Sequence, residues 1–102
     1  MIHHVYFWLK SEHQSEANRA AFERGLESLT TIPEAKYAQI ATPAKTPLRE
    51  EVMDQSWDYA LAIPFGSVSD HNTYQAHPIH EEFVTAFSYL WAKVEVRDLE
   101  TI

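Results

Sequence analysis

The sequence contains no cysteine and only two glycines, Gly25 and Gly66, among its 102 residues. Without cysteine there is no disulfide, no thiol nucleophile and no thiolate ligand for an iron–sulfur cluster. A phosphate-binding loop needs several glycines close together, so that backbone N–H groups can surround the phosphate. These absences exclude several large classes of enzyme, and a chain without cysteine fits the cytoplasm, which we expect as its location.

Basic residues are also scarce. Eight lysines and arginines face fifteen aspartates and glutamates, which gives a net charge of −7 at pH 7. Proteins that bind nucleic acid need a basic patch to neutralise phosphates, so we expect no nucleic-acid partner. No apolar run approaches the roughly 20 residues that cross a bilayer, and no signal pattern precedes the first strand, so we expect no membrane segment. A chain of this length is expected to form one domain, residues 1–102.

The hydrophobic pattern predicts the order βαββαβ, with the second helical segment broken in two. Strands are expected at residues 2–9, 36–42, 56–65 and 93–99, and helices at residues 16–31, 67–76 and 78–91. With short connections and right-handed crossovers, this order folds most simply as a ferredoxin-like arrangement. The predicted class is therefore α+β, with helices on one face of a four-stranded antiparallel sheet.

One face of the predicted sheet is too apolar to remain in water. Alternation places on this face Val5, Phe7, Trp57, Tyr59, Leu61 and Ile63. An exposed apolar surface of this size usually marks an interface. We therefore predict a homodimer in which two sheets pack through this face, while Ala60 and Ala62 form a flat opposite face for a helix.

The segment Tyr74-Gln75-Ala76-His77-Pro78-Ile79-His80 places a phenol and two imidazoles at the junction of two predicted helices. Proline favours the first position of a helix and moves the preceding residue out of helical geometry, so His77 should lie at a corner. A neutral His80 could serve as a general base, and Tyr74 could donate to a developing enolate oxygen. Alternatively, both side chains only satisfy buried polar groups.

The other histidines have simpler interpretations. His77 is expected to bond backbone groups freed at the corner, and His3 should face inward, as a core histidine or a ligand contact. The spacing His77-x-x-His80 is typical of a metal pair, but zinc needs a third protein ligand and Pro78 removes His77 from the helix. His71 and His3 are further candidates, although nothing in the sequence places them nearby. We expect no metal and no cofactor.

Three parts of the sequence resemble the stress-responsive A/B barrel domain family, abbreviated Dabb. They are residues 2–10, residues 57–61 together with 74–84, and residues 93–98. The Tyr-x-x-His-Pro-x-His segment is the most specific of them. The resemblance covers nearly the whole chain, and it implies a ferredoxin-like protomer that forms a dimeric α+β barrel.

For activity, the resemblance implies less. Some plant members are polyketide cyclases, which close a poly-β-keto chain by intramolecular aldol chemistry without a cofactor. The tyrosine and histidine that work in those enzymes match Tyr74 and His80, and their first-strand histidine matches His3. A histidine that those enzymes carry in the third strand falls at Tyr59 in this chain, which departs from their pattern at this position.

These observations predict a pocket between sheet and helices for a hydrophobic, oxygenated small molecule. The expected catalytic residues are His80 and Tyr74. The expected binding residues are His3, Tyr59, His77, Phe7, Leu61, Phe83 and Phe87. One hypothesis is a cofactor-independent cyclase-like lyase or isomerase, and the alternative is a non-catalytic, stress-associated domain for ligand binding or interaction. A third, with a haem or a quinone-like substrate, rests on fold analogy alone.

Overall fold

The computed structural model describes residues 1–102 and contains four strands and three α-helices. The elements are β1 (Ile2–Leu9), α1 (Glu16–Leu29), β2 (Gln39–Ala41), β3 (Tyr59–Pro64), α2 (Val68–Ala76), α3 (Pro78–Phe87) and β4 (Trp91–Leu99). Short 3₁₀ turns lie at Ser11–His13, Pro33–Ala35 and Ser88–Leu90. The strands form one sheet in the order β2-β3-β1-β4, and every pairing is antiparallel. The predicted α+β class and ferredoxin-like sheet are confirmed.

The starts of the helices follow local capping chemistry. The Ser15 hydroxyl accepts a hydrogen bond from the Asn18 N–H at 3.1 Å, and Ser67 does the same for Asp70 at 3.0 Å. The ends are less well predicted from sequence. Helix α3 ends at Phe87 rather than near Trp91, which instead opens β4. Strands β2 and β3 are also shorter than expected, because the chain before each of them is irregular.

One face of the sheet, here called the covered face, packs against the helices. Residues of β1 alternate strictly, with His3, Val5, Phe7 and Leu9 buried. Phe7 contacts Phe22 of α1, with ring centroids 5.1 Å apart. Tyr59, Leu61 and Ile63 stand opposite β1 residues on this same face and are at most 2% exposed. Further core residues are Leu26, Leu29, Ile32, Phe65, Phe83 and Leu90.

Five of the six residues predicted for the dimer interface lie on this covered face, so the prediction is wrong for them. Val5, Phe7, Tyr59, Leu61 and Ile63 form the core of a single protomer. The error has a physical origin: alternation separates the two faces of a strand but does not say which face the helices cover. Both faces of β1 carry large side chains, so side-chain size does not indicate which face the helices cover either.

The opposite side of the sheet, here called the open face, carries Tyr6 and Trp8 of β1. The Trp57 ring, predicted for the other face, lies edge-on to Tyr6 at 5.4 Å. Ala60 and Ala62 pair with Tyr6 and His4 and so belong to this face, rather than supporting a helix as predicted. A shallow groove here is lined by Tyr6, Trp8, Val52, Asp54, Gln55, Trp57, Glu95 and Arg97.

Close contact between two helices depends on Gly25. A Cβ atom at this position would lie 2.3 Å from Cε2 of Phe87, so the glycine lets α3 approach α1. None of the helices has the length and apolar character needed to cross a bilayer.

Candidate active site

A cavity of about 170 Å³ lies between the covered face and the helices α2 and α3. Its polar lining is His3, Tyr74, Gln75 and His80. Most of the remaining lining is apolar, including Val5, Phe7, Leu61, Phe83, Val84, Trp91, Val94 and Val96. An apolar cavity with a few convergent polar groups is typical of a small-molecule site.

The corner between α2 and α3 positions two of these polar side chains. His77 has an extended backbone, and its ring nitrogen Nδ1 accepts a hydrogen bond from the Ile79 N–H at 3.1 Å. Pro78 then starts α3, so that His80 lies in the first turn and faces back toward α2. The rings of Tyr74 and His80 consequently meet edge to face, with centroids 5.0 Å apart.

Neither of these two side chains has a hydrogen-bond partner in the protein, and their chemistry differs. Tyr74 is 1% exposed, and burial raises the pKa of its hydroxyl, so the phenol remains a proton donor. Burial also lowers the pKa of His80, and the nearby His3 acts in the same direction. Near neutral pH the cavity therefore presents a neutral imidazole beside a protonated phenol.

A third polar group, His3, is held by a residue that no sequence motif marks. Its Nδ1 lies 2.5 Å from an oxygen of Asp98, which stands opposite His3 in the pairing of β1 with β4. Burial lowers the pKa of His3 despite the opposing effect of Asp98. A neutral His3 then donates Nδ1–H to the carboxylate, and its Nε2 keeps a free lone pair. Alternation along β4 places Asp98 on the same face as Val94 and Val96, and this was the sequence pattern that could have identified it.

Three residues predicted for the pocket do not line it. Tyr59 donates its hydroxyl to Glu23 of α1 at 2.7 Å, and burial raises the pKa of Tyr59 to about 12. The ring of His77 caps α3, and the ring of Phe87 lies over Gly25. Tyr59 lies on the covered face, but its hydroxyl is directed to α1 rather than into the cavity. The remaining predicted residues His3, Phe7, Leu61, Tyr74, His80 and Phe83 all lie on the cavity.

The two possible metal-binding groups differ in how many of their ligand atoms are available. In the His77-x-x-His80 pair, the Nδ1 of His77 is already occupied by the backbone of α3. By contrast, His3, His71 and Asp98 each place a ligand atom within 4.8 Å of the others. The second group joins the start of β1, the first turns of α2 and the end of β4.

The family of the chain follows from a comparison with known protein families. The profile of the Stress Responsive A/B Barrel Domain matches residues 2–101. The chain therefore belongs to the stress-responsive A/B barrel domain family, as its sequence motifs indicated. No curated protein sequence matches the chain significantly.

Solved structures share the same fold. A protein from Arabidopsis thaliana is 22% identical with a TM-score of 0.79, over 99% of this chain and 94% of that chain. A hydroxynitrile lyase from Passiflora edulis is 25% identical with a TM-score of 0.74, again over 99% and 94%. A protein of Bacteroides fragilis, described as dimeric with a ferredoxin-like fold, is 19% identical with a TM-score of 0.75, over 98% and 94%.

Proposed function

We propose that this protein is a cofactor-independent lyase or isomerase that moves a proton on a small, oxygenated, hydrophobic molecule. The observation that carries this proposal is the pair Tyr74 and His80. Their rings are in contact, neither is hydrogen-bonded to the protein, and both open onto one apolar cavity. Polar groups that open onto an apolar cavity and have no partner in the protein are available to a ligand.

The chemistry follows from the protonation states of the two groups. The neutral His80 ring would take a proton from a carbon or hydroxyl group of the ligand. The Tyr74 hydroxyl would donate a hydrogen bond to the oxygen on which negative charge develops, and its raised pKa keeps the proton on the phenol. The protonated His80 would then return its proton to the product. Both groups end the cycle unchanged, so no cofactor is required.

The cavity limits the size and polarity of the ligand. Its volume of about 170 Å³ is below the roughly 300–1,000 Å³ typical of pockets for drug-sized molecules. The oxygen atoms of the ligand would face His3, Tyr74 and His80, and its hydrocarbon part would contact Val94, Val96 and the Phe83 ring. The Passiflora edulis relative, a hydroxynitrile lyase, suggests hydroxynitriles as one substrate class to test. Small β-keto compounds are the other, because of the resemblance of the Tyr74–His80 segment to cyclases.

Turnover of small hydroxynitriles and β-keto compounds by the untagged protein is the direct test. We expect activity in the wild type, a loss of roughly 10²–10⁴-fold in His80→Gln, and a smaller loss in Tyr74→Phe. His13→Gln, away from the cavity, serves as the matched control and should keep full activity. A wild type that binds these compounds without converting them would contradict the proposal and support the non-catalytic, ligand-binding alternative.

We further propose that the protein is a homodimer formed through the open face. This face carries the rings of Tyr6, Trp8 and Trp57, which are only half-buried in one protomer. Packing two such faces together would close a barrel and remove these rings from water. The Bacteroides fragilis neighbour, described as dimeric, supports this assembly. The proposed homodimer retains Trp57 from the predicted contact residues and replaces the others by Tyr6 and Trp8.

A further inference from the structure

Three side chains that belong to different parts of the chain meet at the wall between the cavity and the surface. His71 and Gln75 are four residues apart on α2 and so share one side of the helix. Both reach His3 of β1. The Gln75 Nε2 atom is 3.4 Å from Nε2 of His3 and 3.4 Å from Nε2 of His71. The two imidazole rings lie with centroids 4.8 Å apart.

These separations are long for hydrogen bonds but suit a metal coordination sphere. N–H hydrogen bonds usually span about 2.7–3.2 Å. Ligand atoms about 2.1 Å from a tetrahedral zinc ion lie about 3.4 Å from one another. Rotating the Gln75 amide by half a turn exchanges its nitrogen and oxygen with little change of shape. The amide oxygen would then lie about 3.4 Å from Nε2 of His3 and from Nε2 of His71.

Asp98 completes the arrangement from the far side of His3. Its oxygen is 2.5 Å from Nδ1 of His3, too close for both atoms to bind one ion. The carboxylate instead fixes the Nδ1–H tautomer and leaves Nε2 free. A ligating histidine commonly donates its other N–H to a carboxylate in this way. His3 is 2% exposed and already held in place, so little ordering is needed on binding.

We propose that His3, His71 and Gln75 bind a divalent transition metal ion of the zinc type, with Asp98 supporting His3. The two imidazole nitrogens suit zinc, and cobalt(II) can replace zinc as a spectroscopic probe. His71 and Asp98 also line a surface groove, together with Met1, Val68 and Asn72. Three protein ligands leave a fourth position for water. His3 and Gln75 also line the cavity, but the ligand set includes neither Tyr74 nor His80.

Metal titration of untagged, chelator-treated protein tests the proposal. Calorimetry with zinc sulfate should show one ion per chain, and cobalt chloride should give the visible absorption of tetrahedral cobalt(II). His71→Ala should weaken binding by more than the roughly 10–100-fold expected for Asp98→Asn, which removes only a supporting group. Gln75→Glu should tighten binding, since a carboxylate is the stronger ligand, whereas Gln75→Leu should weaken it.

The control is His13→Ala, which removes a histidine far from α2 and should leave binding unchanged. Far-UV circular dichroism establishes that each variant is folded. A wild type that binds neither ion overturns the proposal. Binding that is unchanged in His71→Ala, or that is lost in His80→Gln but not in His71→Ala, also overturns it.

Discussion

The two faces of the sheet are built from the same strands, but only the covered face is fully buried within one protomer. On the covered face, Phe7 and Leu61 are each 2% exposed, and the aromatic rings of α1 and α3 close the core within one chain. On the open face, Trp8 packs beneath Lys93 at 4.5 Å and hydrogen-bonds Ser56 at 2.9 Å, but it remains partly exposed. Stability of the protomer therefore depends on the covered face, and association of protomers on the open face.

The largest effect that would test this comparison comes from neighbouring residues of β3. Leu61→Glu places an unpaired charge in the core, which costs several kcal/mol, so the protomer should unfold. Ala62→Glu, one residue later on the open face, should leave the protomer folded. Urea unfolding followed by circular dichroism measures both. Equal destabilisation by the two changes would show that the faces are not distinct.

A second experiment concerns the open face alone. Trp8→Glu should convert the proposed dimer to a folded monomer, because it places a charge in the interface and removes a large apolar contact. Light scattering at micromolar concentration gives the mass, and circular dichroism reports the fold. Ser11→Glu, exposed beyond the end of β1, is the matched charge control. A wild type that is already monomeric would refute the role given to the open face.

A third experiment concerns the helices on the covered face. Gly25→Ala places a methyl group 2.3 Å from the Phe87 ring, and overpacking of this kind typically costs about 1–3 kcal/mol, offset in part by the roughly 0.5–1 kcal/mol that alanine gains over glycine inside a helix. Gly66→Ala meets only the flexible Asp70 carboxylate, at 3.0 Å, and should cost less. Thermal unfolding of the two variants provides the comparison. A similar loss in both would mean that the contact between α1 and α3 tolerates an extra methyl group.

The smallest expected effect is a dependence of stability on pH that originates at the cavity. His80 has a folded-state pKa below its usual value, so the stability linked to its neutral form is fully present above about pH 6.5. It is lost as the pH falls through the lowered pKa. Urea midpoints should therefore decrease between pH 7 and pH 5, and less so in His80→Leu. An unchanged slope in that variant would assign the effect to other groups.

The sequence predicted those parts of the molecule that depend on local chemistry. Ser15 and Ser67 mark helix starts because their hydroxyls cap nearby N–H groups, and Pro78 starts α3 because its ring fixes a helical φ angle. The proximity of Tyr74 and His80 was predicted from the helix break at Pro78. Residues brought together only by strand pairing were missed, such as Asp98 beside His3. Their meeting depends on register across more than ninety residues, which local patterns do not encode.

The corner at His77 has one more consequence. A single non-helical residue separates α2 from α3, with φ −68° and ψ 139°. The relative orientation of the two helices, and hence the spacing between the phenol and the imidazole, depends on two torsion angles of a residue that does not line the cavity. Small rotations at His77 would be amplified along α3 into larger displacements of its far end. Substitutions at this one position could thus tune the geometry of the site without altering any group that meets the ligand.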